Sequence, residues 1–288
     1  MQTRTPPRSK LLRRLLPALV GLALLGASLP GCDWPTNTRF VHKVFTDVQL
    51  TSGISYRTTT TWDGQPVDLK LDIREPAGDT RAQRPVMMWM FGGSWRAGDR
   101  NQLANWAVDS AQRGYVGVTI DYRIRPTQRP FDISGAEMDA YDDTIAAIQW
   151  LRDHAAQYRL DPNAIVAAGY SAGAINALHA VYRPGTRGPA TTPAAGAVAL
   201  HGLSFTAPPA GRPAVIMVNA TEDGTVPFGP AKGTCDQAVN VGDDCLLLTH
   251  PGDHLDIPPW FLDEVHRLTF ERILFGLGYG SEVLSAAG

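Results

Sequence analysis

The segment Gly169-Tyr170-Ser171-Ala172-Gly173 carries the clearest chemical potential in this chain of 288 residues. The apolar run Val166-Ala167-Ala168 leads into it and small residues from Ala172 lead out, a strand, sharp turn and helix in succession. Such a turn presents a serine hydroxyl at the tip of a strained bend, and glycines on either side keep other side chains out of the crossing. Ser171 is therefore a candidate nucleophile. A serine hydroxyl attacks weakly at neutral pH, so the chemistry needs a histidine to take its proton and a carboxylate to orient that histidine. It also needs backbone N–H groups for the oxyanion that develops.

The acid and base are expected in loops that follow late strands, because open parallel sheets gather their chemistry at the carboxyl ends of the strands. Val215 to Ala220 delivers Thr221-Glu222-Asp223-Gly224-Thr225-Val226-Pro227, and Cys245 to Thr249 delivers His250-Pro251-Gly252-Asp253-His254. Asp223 is the favoured acid, with Glu222 and Asp256 as alternatives. His254 is the favoured base, since the Gly252-Asp253 turn lets the chain bring its ring back over the sheet. His250 and His201 also follow strands and are its rivals; His42, His154, His179 and His266 lie in the lead-in or in helices. The oxyanion donors are expected from the N–H of Ala172 and from Gly92 and Gly93, in the loop after an early buried strand. Trp95 and Tyr170 flank the serine as candidate substrate-binding or packing aromatics.

The elements that must position these residues follow from periodicity. Residues 44–50, 54–60 and 67–73 are β-branched or alternate apolar with polar, as half-exposed antiparallel lead-in strands do. Residues 85–91 and 115–121 are apolar on both faces, which suits a buried parallel sheet. Further strands are expected at the approach to Ser171 and over 195–200, 214–220 and 246–249. Helices are expected over about 101–112, over 135–158, after Ser171, and over 258–275 with Pro258 and Pro259 in its first turn. Asp161-Pro162 is expected to interrupt the chain before the strand that carries Ser171, and Arg183 to Pro193 reads as a surface loop. Strands alternating with helices predict an α/β fold: a mostly parallel central sheet of about eight strands with helices on both faces.

Composition narrows the function class. An apolar fraction of 44% and a charged fraction of 19% fit a globular protein, and a net charge of -2 offers no basic footprint for nucleic acid. Residues 1–31 read as an export signal, with Arg4, Arg8, Lys10, Arg13 and Arg14 ahead of an apolar run from Leu15 to Leu29. That run ends in Leu29-Pro30-Gly31-Cys32, which resembles the lipobox of bacterial lipoproteins. Cys32 is thus the expected lipidation site, residues 32–39 a tether and residues 40–288 the catalytic domain. The expected location is the cell envelope, anchored to a membrane and facing the periplasm. Cys235 and Cys245 remain as an even pair in an oxidising compartment and are expected to form a disulfide. No Cys/His spacing suggests a metal site.

Several blocks together resemble bacterial esterases of the α/β-hydrolase superfamily, near the carboxylesterase, hormone-sensitive-lipase-like and feruloyl-esterase-like groups. Phe91-Gly92-Gly93-Ser94-Trp95-Arg96-Ala97-Gly98 resembles their His-Gly-Gly-x-Trp block, with Phe91 in place of the histidine. Asp121-Tyr122-Arg123, Asp142-Asp143 through Trp150-Leu151, Asp161-Pro162-Asn163 and Gly169 to Gly173 resemble the segments that follow. The order Ser171, Asp223, His254 is also theirs. The resemblance covers about residues 65 to 275 and implies hydrolysis of carboxylic esters without a cofactor, through an acyl-enzyme on Ser171. The same triad would equally serve a peptidase, a thioesterase or an acyltransferase, and an inactive binding lipoprotein on this scaffold is the remaining alternative.

Overall fold

The computed structural model describes residues 34–183 and 194–280. The expected signal segment, Cys32 and most of the loop expected over 183–193 lie outside them. Among the described residues one sheet runs through the molecule in the order β1-β2-β4-β3-β5-β6-β7-β8. These strands are β1 (Val48–Thr60), β2 (Pro66–Pro76), β3 (Arg84–Met90), β4 (Val116–Ile120), β5 (Leu160–Tyr170), β6 (Gly196–Leu200), β7 (Val215–Ala220) and β8 (Cys245–His250). β2 pairs antiparallel with both β1 and β4, and every pairing from β4 through β8 is parallel. This is the expected α/β-hydrolase architecture.

Alternation along β3 sorts its side chains into two layers. Met88 and Met90 join the cluster formed with α2 (Ile133–Asp153) and α4 (Ala172–Tyr182), and the Thr144 hydroxyl donates to the Met90 sulfur. Trp89 points the other way, edge-on to Trp106 of α1 (Ala104–Gln112) and Phe261 of α6 (Phe261–Thr269). All seven β3 residues are buried, and each large apolar side chain so removed from water contributes about 1.5–3 kcal/mol. α1 lies flush on β4 because Gly117 has no side chain: a Cβ there would sit 2.0 Å from the Ala107 carbonyl oxygen. Asp132 caps α2, its carboxylate accepting from the Gly135 N–H.

Several boundaries differ from the sequence expectation. The two lead-in segments are one strand, β1, with register shifts between Thr51 and Ile54 and between Ser55 and Arg57 that mimic a break in the pattern. β5 begins at Leu160, ahead of Asp161-Pro162, and the pair sits in an irregular stretch between its Arg84 and Val86 pairings, where proline withholds no regular ladder bond. The helix expected over 135–158 is α2 followed, after His154, by the short α3 (Ala155–Tyr158). The closing helix is α6 running into a π turn, Phe270–Leu274, and a 3-10 turn, Phe275–Leu277. α5 (Phe228–Asn240) was not expected; Gly229, Pro230 and Gly233 weaken its propensity, and burial of Ala231, Cys235 and Ala238 supports it instead.

Candidate active site

Ser171 stands between β5 and α4 with φ 55° and ψ -119°, backbone angles a non-glycine residue adopts only when its surroundings impose them. Glycine absence of side chains imposes them here. A Cβ at Gly169 would lie 2.4 Å from the Gly173 carbonyl carbon, and one at Gly173 would lie 2.1 Å from the Met90 carbonyl oxygen. The strand, the bend and the β3 terminus therefore touch backbone to backbone. The Ser171 N–H donates to Leu200 O, tying the bend to the end of β6.

From that position the Ser171 hydroxyl lies 2.8 Å from His254 Nε2, and His254 Nδ1 lies 2.7 Å from Asp223 Oδ2. With Nδ1–H donating to the carboxylate, Nε2 is left as the acceptor for the serine proton. Asp223 Oδ1 accepts from the N–H groups of Thr225 and Val226, each at 2.8 Å. Burial pushes the Asp223 carboxyl up, but the bonds from His254, Val226 and Thr225 outweigh it and hold the group below the ordinary aspartate value. Two backbone bonds lock the acid loop to the base loop: Thr221 N–H to His250 O and Glu222 N–H to Gly252 O. Cys235 and Cys245 are bonded, linking α5 to the start of β8.

The loop after β3 passes directly beside the serine. A Cβ at Gly92 would lie 3.1 Å from Ser171 Cβ and 2.8 Å from the Tyr170 ring, and Gly93 has φ 119° with the Ala97 carbonyl oxygen filling its side-chain space. Ser94 and Trp95 follow with φ 54° and 56°, so the turn is wound left-handed over successive residues. Phe91 stacks on Tyr122 at 4.1 Å, and the Tyr122 hydroxyl donates to Phe91 O. Arg123 in turn holds the buried Asp143 of α2, which Arg57 also contacts. The Asp-Tyr-Arg segment thus braces the glycine loop.

A cavity of about 250 Å³ opens beside Ser171 and Ala172, walled by Trp95, Ile175, Leu203, Phe205 and Val226. The Trp95 indole is fixed by donating to Asn176 Oδ1 of α4. Leu203 and Phe205, in the loop after β6, carry no signal in the sequence that marks them as pocket residues. Tyr170 is not part of this wall. Its hydroxyl donates to the backbone oxygen of His254 at 2.6 Å, so it holds the base loop. Of the other histidines, His201 and His250 bond to each other and not to Ser171. His201, Asp223 and His254 bring donor atoms within 4.8 Å of one another, the spacing of a metal site. Both nitrogens of each ring and both Asp223 oxygens are already committed to hydrogen bonds within the protein.

The chain is similar to known hydrolases in sequence and in fold. A family model described as BD-FAE matches residues 71–186. Phenmedipham hydrolase of Pseudarthrobacter oxydans is 34% identical over 106 residues, 36% of this chain and 21% of that protein. Carboxylesterase 1C of Rattus norvegicus is 33% identical over 119 residues, 40% of this chain and 22% of that protein. The aligned region therefore spans about a fifth of these two relatives' length. Thermogutta terrifontis esterase 2, in a form phosphoramylated by tabun, superposes with a TM-score of 0.65 at 26% identity, covering 80% of this chain and 95% of that one. Its propionate-bound form gives 0.64 at 25% identity, covering 80% and 94%. With a mostly parallel eight-stranded sheet, a serine on the bend after β5 and an acid and a histidine after β7 and β8, the chain belongs to the α/β-hydrolase superfamily.

Proposed function

We propose that this protein is a serine esterase acting on carboxylic esters with a small acyl group. The observation that carries the proposal is the hydrogen-bonded line Ser171, His254, Asp223 ending at the mouth of a small apolar cavity. Ser171 Oγ attacks the acyl carbon as its proton passes to His254 Nε2. Asp223 fixes the tautomer and stabilises the imidazolium, which then protonates the departing alcohol. Water enters, gives its proton to His254, and the acyl-enzyme is hydrolysed. Gly92, Gly93 and Ala172 supply the backbone donors for the oxyanion, and each such donor lowers the barrier by about 3 kcal/mol.

The size of the cavity supports a small acyl group: about 250 Å³ lies below the roughly 300–1,000 Å³ of ordinary small-molecule pockets. The propionate-bound state of the Thermogutta esterase is in keeping with it. Turnover of p-nitrophenyl esters from acetate to dodecanoate tests the proposal. Activity concentrated at acetate to hexanoate and absent in Ser171→Ala supports it; equal or better cleavage of a peptide amide or a thioester makes the protein a peptidase or thioesterase on the same triad. No turnover of any of them would leave a binding protein on a hydrolase scaffold.

Lipidation at Cys32 and residence in the cell envelope form part of the same proposal. They are supported by the arginine-rich start, the apolar run and the Leu-Pro-Gly-Cys sequence, and a disulfide between Cys235 and Cys245 suits an oxidising compartment. Among the described residues no helix is long and apolar enough to cross a membrane. Loss of membrane association in Cys32→Ser would support the anchor, and unchanged fractionation would remove it.

A further inference from the structure

His201 and His250 form a second polar cluster directly behind the base. His201 directly follows β6, is fully buried, and has φ 52°, a strained angle that the surrounding contacts must hold. Its Nδ1 lies 2.8 Å from the backbone oxygen of His254, the same oxygen that accepts from Tyr170. Its Nε2 lies 2.8 Å from Nε2 of His250, and His250 Nδ1 lies 2.8 Å from Pro251 O. The ring centroids are 5.0 Å apart and the planes differ by 29°, so the rings meet nitrogen to nitrogen, nearly in line.

Counting protons along this chain gives an excess. A carbonyl oxygen only accepts, so both Nδ1 atoms must carry hydrogen. A neutral imidazole has one N–H. Two neutral rings would then face each other with bare Nε2 lone pairs at 2.8 Å. Turning either ring over replaces its nitrogens by carbons and loses both of that ring's bonds. One further proton between the Nε2 atoms satisfies all three contacts.

We infer that His201 and His250 share this extra proton in an Nε2–H···Nε2 bond, and that the charged pair positions the catalytic His254 through its backbone carbonyl. His201 is fully buried, whereas His250 lies at the rim of an open cavity that Asp256 and Trp260 also line, so the ring nearer solvent is the donor. His250 donates and His201 accepts. The other titratable groups facing the pair are Asp223 in the acid loop, His254 itself and Tyr170 at the end of β5. The Asp223 carboxylate favours the shared proton, and the imidazolium that forms on His254 during acylation opposes it. When the pair loses its proton, one Nδ1–H must be given up to keep the bond between the rings. Either His254 O or Pro251 O then loses a donor, and the base loop loosens.

The proton count stands apart from any activity, whereas the positioning role rests on the ester-hydrolase proposal above. Nitrogen-15 NMR of histidine-labelled protein at neutral pH reads the count directly. The expected spectrum has, besides His201 with its Nδ1–H, a His250 ring protonated on both nitrogens; a spectrum in which His201 and His250 each carry a single N–H overturns the inference. The pH profile tests the role. Loss of one neutral hydrogen bond to the base loop, worth about 1 kcal/mol, is expected to lower kcat about fivefold on the alkaline side with KM unchanged. In His250→Gln the amide donates to His201 without titrating, so this alkaline fall should vanish when the profile is scaled to its own maximum. An identical fall in that variant refutes the positioning role, and an inactive wild-type enzyme with a doubly protonated ring would refute the esterase proposal while leaving the proton count in place.

Discussion

The nucleophile and its two partners are held by different kinds of structure. Around Ser171, β3, β5 and α4 meet with almost no side chain between them: Gly169 and Gly173 let backbone approach backbone, Gly92 leaves room for the Tyr170 ring and Ser171 Cβ, and every residue of α4 is buried. Asp223 and His254 instead hang from the last two strands, where β8 is an edge strand of mostly half-buried residues. Their spacing is kept by discrete links: the bonded cysteines, two backbone bonds between the loops, and the Tyr170 hydroxyl on His254 O. Close approach fixes the attacker, and cross-links fix the groups that move protons. The first half should fail by unfolding and the second by losing rate.

The largest expected effect breaks the second half at its chemical centre. Asp223→Asn retains the bonds from Thr225 and Val226 but favours the wrong imidazole tautomer, so kcat should fall about 10⁴-fold with the melting temperature nearly unchanged. A fall of less than tenfold would mean that another group orients His254. Gly173→Ala attacks the first half. With its new Cβ 2.1 Å from a backbone oxygen, it should lower stability by about 3 kcal/mol or more in urea unfolding, and retention of wild-type stability would contradict the close contact. Removing the disulfide as Cys235→Ser with Cys245→Ser should lower stability by about 2–3 kcal/mol in the chain-entropy model. It should also reduce kcat more than it reduces the stability of the β3–β5 region seen by hydrogen exchange; uniform loosening would erase the contrast.

The smallest effect is acid-dependent. His266 in α6 is wholly buried, donating from Nδ1 to Leu262 O and meeting Ser110 at Nε2, and burial, aided by Arg113, lowers its pKa from 6.5 to about 4. A histidine depressed in the folded state is protonated more readily when unfolded, so its contribution is complete above about pH 6.5 and declines as the pH falls towards 4. At pH 5 the loss should be about 2 kcal/mol. Unfolding measured against pH in wild type and His266→Gln reads it as a difference in slope between pH 7 and pH 5.

What could be read from the sequence divides along the same line. Ser171 stood out because its constraint is local: glycines two residues either side and an apolar lead-in are visible in a window of nine. Asp223 and His254 were legible because loops after late strands have a fixed place in a parallel sheet; position removed most of the seven histidines, and the Gly252-Asp253 turn favoured His254 over His250 and His201. Tyr170 and His201 were considered for other duties because their contacts reach across 84 and 53 residues to His254, and no local pattern announces a hydroxyl or ring aimed at a distant carbonyl. The pocket residues Leu203 and Phe205 were silent for the same reason. α5 was hidden by glycine and proline in its first turns, since burial and a covalent link support it where propensity does not.

The central claim is that the Ser171 hydroxyl is activated by His254. Reaction of the folded protein with a fluorophosphonate, followed by mass measurement of the intact chain and its peptides, tests that claim most directly. One adduct per chain on Ser171, absent in Ser171→Ala and slowed at least a hundredfold in His254→Gln, is the predicted result. A folded protein that leaves Ser171 unmodified, or that labels equally fast without the His254 imidazole, would contradict the account.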